Sequence, residues 1–223
     1  MNLDQAMQSI AVAILPLIFA ITLHEAAHGW VASQCGDKTA LMMGRVTLNP
    51  IKHIDLVGTL IVPIVLLFLG GFIFGWAKPV PVAWQNLTHP RRDMFLVALA
   101  GPAANLLMAI LWAAVAKCAI LFLVSHPQHW INITGQFLQA TAGFGIVINC
   151  VLLILNLLPI PPLDGSRVIS SLLPAPAAHA YERIEPFGIW ILLALLVFGI
   201  LGFILWPPIQ WLTNTIINLF HLS

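Results

Sequence analysis

Residues 10–33 read IAVAILPLIFAITLHEAAHGWVAS. A helix needs about 20 mostly apolar residues to cross the hydrocarbon core of a bilayer. This run has that length, yet past its middle it carries a carboxylate, Glu25, between two imidazoles, His24 and His28. An ionisable group inside lipid costs several kcal/mol unless it is partnered, so such residues are functional by default. Working outward, further apolar runs cover about 56–76, then from Arg91-Arg92-Asp93 to about 124, then about 137–158 and 187–205. Trp206-Pro207-Pro208 is expected to break the last of these, because proline lacks the helical N–H. A short sixth stretch, 209–220, either spans poorly or lies at the interface.

The whole chain has the composition of its first run. Of 223 residues, 60% are hydrophobic and 8% are charged. A soluble domain carries roughly 25% charged residues and needs them to cover its surface. The same figures exclude a disordered chain, which is charged and poor in apolar residues. Three cysteines, an odd number, do not make a disulfide scaffold. A net charge of +1 with no basic stripe points away from nucleic acid. The opening MNLDQAMQS lacks a basic n-region, so no cleavable signal is expected. The expected fold is an all-α polytopic membrane protein with about five to six membrane segments, forming a single membrane-embedded domain over 1–223.

His24-Glu25-Ala26-Ala27-His28 has a chemical reading. Two His at i and i+4 lie about 40° apart around a helix and can grip one metal ion, with the adjacent Glu placed to take a proton from a water at that ion. The other reading is a hydrogen-bonded polar cluster between helices. A catalytic zinc takes three protein ligands and leaves a fourth position open. Among the acids, Asp164 stands apart, because it follows the fourth apolar run in Asn156-Leu-Leu-Pro159-Ile-Pro161-Pro162-Leu-Asp164-Gly165. Two prolines so spaced forbid helix and are expected to hold the chain extended, presenting one carboxylate at the end of a membrane helix. Asp164 also fits an N-cap for a helix starting at Ser166.

These motifs resemble the site-2 protease family of intramembrane zinc metalloproteases. Three appear in order: His24-Glu25-Ala-Ala-His28, Gly101-Pro-Ala-Ala-Asn105, and Asn156-Leu-Leu-Pro159-Ile-Pro161-Pro-Leu-Asp164-Gly165. The flanking text, including Gly75-Trp76-Ala77-Lys78-Pro79-Val80-Pro81-Val82, resembles the compact prokaryotic type without a PDZ or CBS domain. The resemblance implies His24, His28 and Asp164 as ligands of one Zn2+ per chain and Glu25 as general base. It implies Asn105 near the metal, where donation to a developing oxyanion or a bond between helices are the two readings. It implies supporting roles for Gly101, Asn156, Pro159, Pro161 and Gly165, with Asn156 expected to buttress the proline loop. It implies regulated intramembrane proteolysis of single-pass transmembrane substrates in the lipid bilayer. Oligomeric state is unspecified.

Spacing carries a topological expectation. His24 and His28 lie toward the C-terminal side of the first span, and Asp164 reaches the same side from the end of the fourth. Segment 56–76 must then enter and leave on that side, as a re-entrant or hairpin element. Short extended strands are expected near 41–48 and 72–82, the latter suited to pairing with unwound substrate. Lys38, Arg45, Lys52, Lys78, Arg91, Arg92, Arg167 and Arg183 all fall on connections of that side. By the positive-inside rule this makes it cytoplasmic, giving a multi-pass inner-membrane protein whose active site faces the cytoplasm. The competing readings are a zinc-binding pseudoprotease or scaffold, and an ion or proton transporter.

Overall fold

The computed structural model describes residues 3–55, 58, 78–125 and 129–222. Among them are eight α-helices: α1 (Leu3–Gln34), α2 (Thr39–Met42), α3 (Pro90–Ser125), α4 (His129–Asn156), α5 (Asp164–Leu172), α6 (Ala175–Glu182), α7 (Glu185–Val197) and α8 (Ile200–Leu219). Four stretches are long and apolar enough to cross a membrane: Met7–Gln34, Pro90–Leu123, Ile133–Asn156 and Ile200–Leu219. The fold is therefore an all-α polytopic membrane protein.

Helices α1, α3 and α4 pack together, and α8 lies against α4 and the far half of α3. The core is built from small side chains on α3 (Ala109, Ala113, Ala116) facing Ala142, Ile146 and Cys150 of α4, with Leu201, Leu205, Ile209 and Ile216 of α8 closing it. In lipid no hydrophobic drive pulls helices together, so close approach through small residues supplies the packing. The outward face keeps large apolar groups such as Trp30, Phe203, Trp206 and Trp211 exposed, as a lipid-facing surface would.

Helix α3 starts at Pro90, whose missing N–H costs nothing there. His89 N–H donates to Asp93 Oδ2 at 2.6 Å, fixing that start. Thr88 N–H donates to Cys35 O at 2.9 Å, so the end of α1 and the approach to α3 meet. The connection between them leaves and returns at one end of the bundle. The expected re-entrant element at 56–76 lies outside the described residues, as does 72–77 of the second expected strand.

Three expectations are corrected. Residues 41–48 form no strand: 41–42 complete α2, and 43–48 run through turns and bends to a 3-10 turn at Pro50–His53. Residues 78–82 are irregular and end in a 3-10 turn at Trp84–Asn86, so no strand is present among the described residues. The helix break expected at Pro207-Pro208 occurs instead at Gly199, whose φ of +72° is a left-handed conformation that glycine adopts freely. Gly199 N–H donates to Leu196 O at 3.0 Å and ends α7, while α8 runs through both prolines. A membrane helix tolerates such prolines because neighbouring groups can satisfy the freed carbonyls.

Candidate metal centre

Helix α1 puts His24 and His28 one turn apart on the face turned to α3, each at most 9% exposed. The space they occupy exists because residue 101 has no side chain. A Cβ on Gly101 would overlap His28 Nε2 and lie 2.5 Å from His24 Cε1.

Each imidazole is held from behind. His28 Nδ1 lies 2.7 Å from the Val97 carbonyl, which can only accept, so the proton sits on Nδ1. His24 Nδ1 lies 2.6 Å from Asn105 Oδ1. The amide nitrogen of Asn105 donates to Ala20 O at 3.2 Å and to Asn149 Oδ1 at 3.0 Å, which identifies the remaining atom as an acceptor. In both neutral imidazoles Nε2 is therefore the lone-pair nitrogen, and the two Nε2 atoms face each other at 3.1 Å.

Asp164, the first residue of α5, completes the group. The N-cap position of that helix is Leu163, not Asp164 as the N-cap reading expects, and it makes no side-chain cap bond. Asp164 Oδ2 lies 3.3 Å from both His24 Nε2 and His28 Nε2. That oxygen is buried with no hydrogen-bond partner. With both rings neutral, three lone-pair atoms converge here, an arrangement that is repulsive unless a cation sits among them. Donors about 2.0–2.1 Å from one tetrahedral zinc lie about 3.3 Å apart, and two imidazoles with one carboxylate and an open fourth position make a catalytic zinc pattern. The three edges fit that set. This is the one such cluster among the described residues.

Glu25, half-buried beside the cluster, accepts the Val80 N–H on Oε2 at 2.7 Å. The segment carrying Val80 is gripped along its length. Arg45 donates to Lys78 O at 2.8 Å and Pro79 O at 3.2 Å, and Lys78 N–H reaches His53 O at 3.0 Å. Ala83 N–H donates to Asp37 Oδ2 at 2.7 Å. Val80 lies against Gly29, where an added Cβ would come within 3.0 Å of Val80 Cγ1. Asp37 also accepts from Thr39 N–H at 3.0 Å, the Thr39 hydroxyl, and Asn86 Nδ2 at 3.2 Å. Its burial opposes ionisation, but these donors outweigh it and hold the carboxyl below the ordinary carboxylate range.

The structure brings together His24, Glu25, His28, Gly101, Asn105 and Asp164. Asn105 stands behind His24 rather than over an open site: it is fully buried and both amide hydrogens are engaged, so in this geometry it has no donor left for an oxyanion. Asn156 donates to Leu152 O of its own helix at 2.9 Å instead of buttressing the proline loop. That support comes from Tyr181, whose hydroxyl donates to Pro159 O at 2.7 Å. Pro159 and Pro161 forbid helix as expected, but the chain around them turns instead of extending, with Leu163 N–H bonded to Ile160 O at 3.0 Å. Gly165 packs on the end of α4, where a Cβ would overlap the Leu157 carbonyl oxygen. Pro161 meets Gly188 of α7 in the same way. Sequence reading missed Val80, Val97 and Asn149. The first two act through main-chain atoms, which leave no residue-type signal. Asn149 was visible as an amide in an apolar run.

The profile described as "Peptidase family M50" matches residues 12–124 and 121–199. The chain is 36% identical over 210 residues to the Bacillus subtilis protein named "Putative zinc metalloprotease YwhC", covering 93% of this chain and 90% of that protein. The similarly named Rip2 of Mycolicibacterium smegmatis is 32% identical over 182 residues, 81% of this chain and 64% of that protein. Rip2 of Mycobacterium tuberculosis H37Rv is 31% identical over 196 residues, 87% of this chain and 70% of its own length. No solved structure matches the chain.

Proposed function

The chain belongs to peptidase family M50, and from that premise we propose that it is an intramembrane endopeptidase that holds one zinc ion and cuts within the transmembrane segments of single-pass proteins. The observation that carries this reading is the convergence of His24 Nε2, His28 Nε2 and Asp164 Oδ2, with Glu25 beside them, inside a bundle of membrane-length helices.

His24, His28 and Asp164 hold the ion. When bound, zinc supplies Lewis acidity, polarising a carbonyl and making water easier to deprotonate. The residues of this chain do the rest. Val97 O and Asn105 Oδ1 keep both imidazole protons on Nδ1, so that Nε2 faces the centre. The Val80 N–H occupies Oε2 of Glu25 and orients the carboxylate, leaving Oε1 to take a proton from water and return it to the leaving amine. The low exposure of both imidazoles limits bulk water at the site, which strengthens every charge interaction there.

Eight of the nine basic residues lie on connections, at the start of α3 or on the short helix α5, toward the end of the bundle that carries the site, supporting a cytoplasmic-facing centre in the inner membrane. The test uses the full chain purified in detergent, with metal analysis and cleavage of a transmembrane peptide. Wild type is expected to hold one zinc per chain and to cleave. Glu25→Gln is expected to keep the zinc, lose cleavage by at least a thousandfold and retain bound peptide. Absence of zinc from wild type would overturn the metal reading. An undiminished cleavage rate in Glu25→Gln would overturn the assignment of the base.

A further inference from the structure

We infer that Asn149 is a positioning residue for the metal centre, acting through Asn105 to set which nitrogen of His24 carries the proton. The inference rests on the zinc reading above and adds a residue from a fourth helix, α4. Asn149 is fully buried on α4, and its side chain is the far end of a directional hydrogen-bond chain. Its Nδ2 donates to the Gly145 carbonyl at 2.8 Å, and that carbonyl can only accept. Oδ1 of Asn149 must therefore face Asn105, whose Nδ2 donates to it at 3.0 Å. Asn105 Oδ1 is then the atom that meets His24 Nδ1 at 2.6 Å, and His24 Nε2 is left as the lone-pair nitrogen.

The direction matters because an asparagine side chain can turn its amide over at little steric cost. With Asn105 reversed, its NH2 would face His24 Nδ1. The imidazole would then move its proton to Nε2, the atom 3.3 Å from Asp164 Oδ2, and could no longer ligate. Asn149 penalises that reversal, since two carbonyl-type oxygens would face each other. Ala20 O, accepting from Asn105 Nδ2 at 3.2 Å, favours the same orientation over a longer bond. Removing Asn149 should therefore weaken the bias without abolishing it.

The test measures zinc dissociation constants of the full chain in detergent by competition with a chromophoric chelator. Asn149→Leu, of similar volume but with no acceptor, is expected to weaken zinc binding about three- to tenfold, below the 10–100-fold typical of a group bonded directly to a ligand. Asn149→Asp can reproduce both bonds in its neutral form and is expected to stay within about twofold of wild type. Because Asn149 acts through Asn105, adding Asn149→Leu to Asn105→Ala is expected to change the affinity less than about twofold further. Unchanged affinity in a folded Asn149→Leu, independent multiplication of the two effects in the double variant, or an equal loss in Asn149→Asp and Asn149→Leu would each overturn the inference. If Asn149→Leu does not fold, a folded Asn149→Asp that binds about tenfold more weakly than wild type would overturn it alone. Failure of wild type to bind zinc would instead refute the metal reading.

Discussion

Gly101→Ala isolates the geometry of the metal centre from the stability of the fold. The added methyl would overlap His28 Nε2 and lie 2.5 Å from His24 Cε1 and 2.7 Å from His24 Nε2. Ordinary contact between such atoms is about 3.5–4.0 Å, so both rings must withdraw by about 1 Å or α3 must move. Metal–ligand distances tolerate only about 0.2 Å. Withdrawal of that size removes a ligand, and we expect zinc affinity to fall at least about a hundredfold, equivalent to about 2.8 kcal/mol. The helix itself should gain, since alanine is better than glycine inside a helix by about 0.5–1 kcal/mol. Chelator competition and thermal unfolding of the metal-free protein separate the two effects. Overpacking is expected to lower the metal-free midpoint modestly, by an amount equivalent to about 1–3 kcal/mol less the helix gain, while zinc affinity falls in addition. A Gly101→Ala protein that binds zinc within threefold of wild type would refute the close approach of α3 to the imidazoles.

Other predictions concern the supports. Asp37 has a depressed pKa in the folded state, so it contributes stability above its unfolded value of about 3.9, and that contribution is lost as pH falls through the lower native value. Thermal unfolding midpoints measured across this acid range should drop for wild type. They should change less for Asp37→Asn, which at pH 7 should itself be destabilised by about 1–3 kcal/mol, because an NH2 or an orphaned N–H replaces a satisfied bond at Ala83. Arg167 grips Glu185 through two contacts of 2.6 and 2.7 Å and lies 5.5 Å from the Trp84 ring, joining the helix of Asp164 to the segment beside Glu25. Glu185 is 40% exposed, so Arg167→Lys should cost no more than about 1 kcal/mol in thermal unfolding.

The residues of the candidate metal centre were legible in the sequence because lipid makes them conspicuous. His24, Glu25 and His28 interrupt an apolar run, and Asp164 follows one through prolines. Helices α1, α3 and α4 were legible for the same reason to within two residues at their C-terminal ends, but α1 and α4 begin seven and eight residues before the expected starts. The run expected at 187–205 divides between α7 and α8, whose membrane-length helix takes in the short stretch expected at 209–220. What escaped was set by partners distant in sequence. Nothing local tells that Asn105 faces His24, 81 positions away, with its donors already spent on Ala20 and Asn149. Asp37 reads as one acid in a polar connection, yet it is fully buried. The helix end at Gly199 was overlooked because two nearby prolines are stronger breakers in water than in a bundle.

Every hydrogen bond that grips the segment beside Glu25 is made through its main chain. Arg45 takes two of its carbonyls, and Glu25, Asp37 and His53 take three of its amides. Of its side chains, Val80 alone is buried. The hydrogen bonds therefore do not read the identity of residues 78, 79 and 81, whereas Val82 also packs on the cluster of Ala32, Leu87 and Val97. Those three positions are free to change the chemistry presented next to Glu25 while the orientation of its carboxylate is kept. Side chains at this wall can therefore be exchanged without loosening the hydrogen bonds behind it.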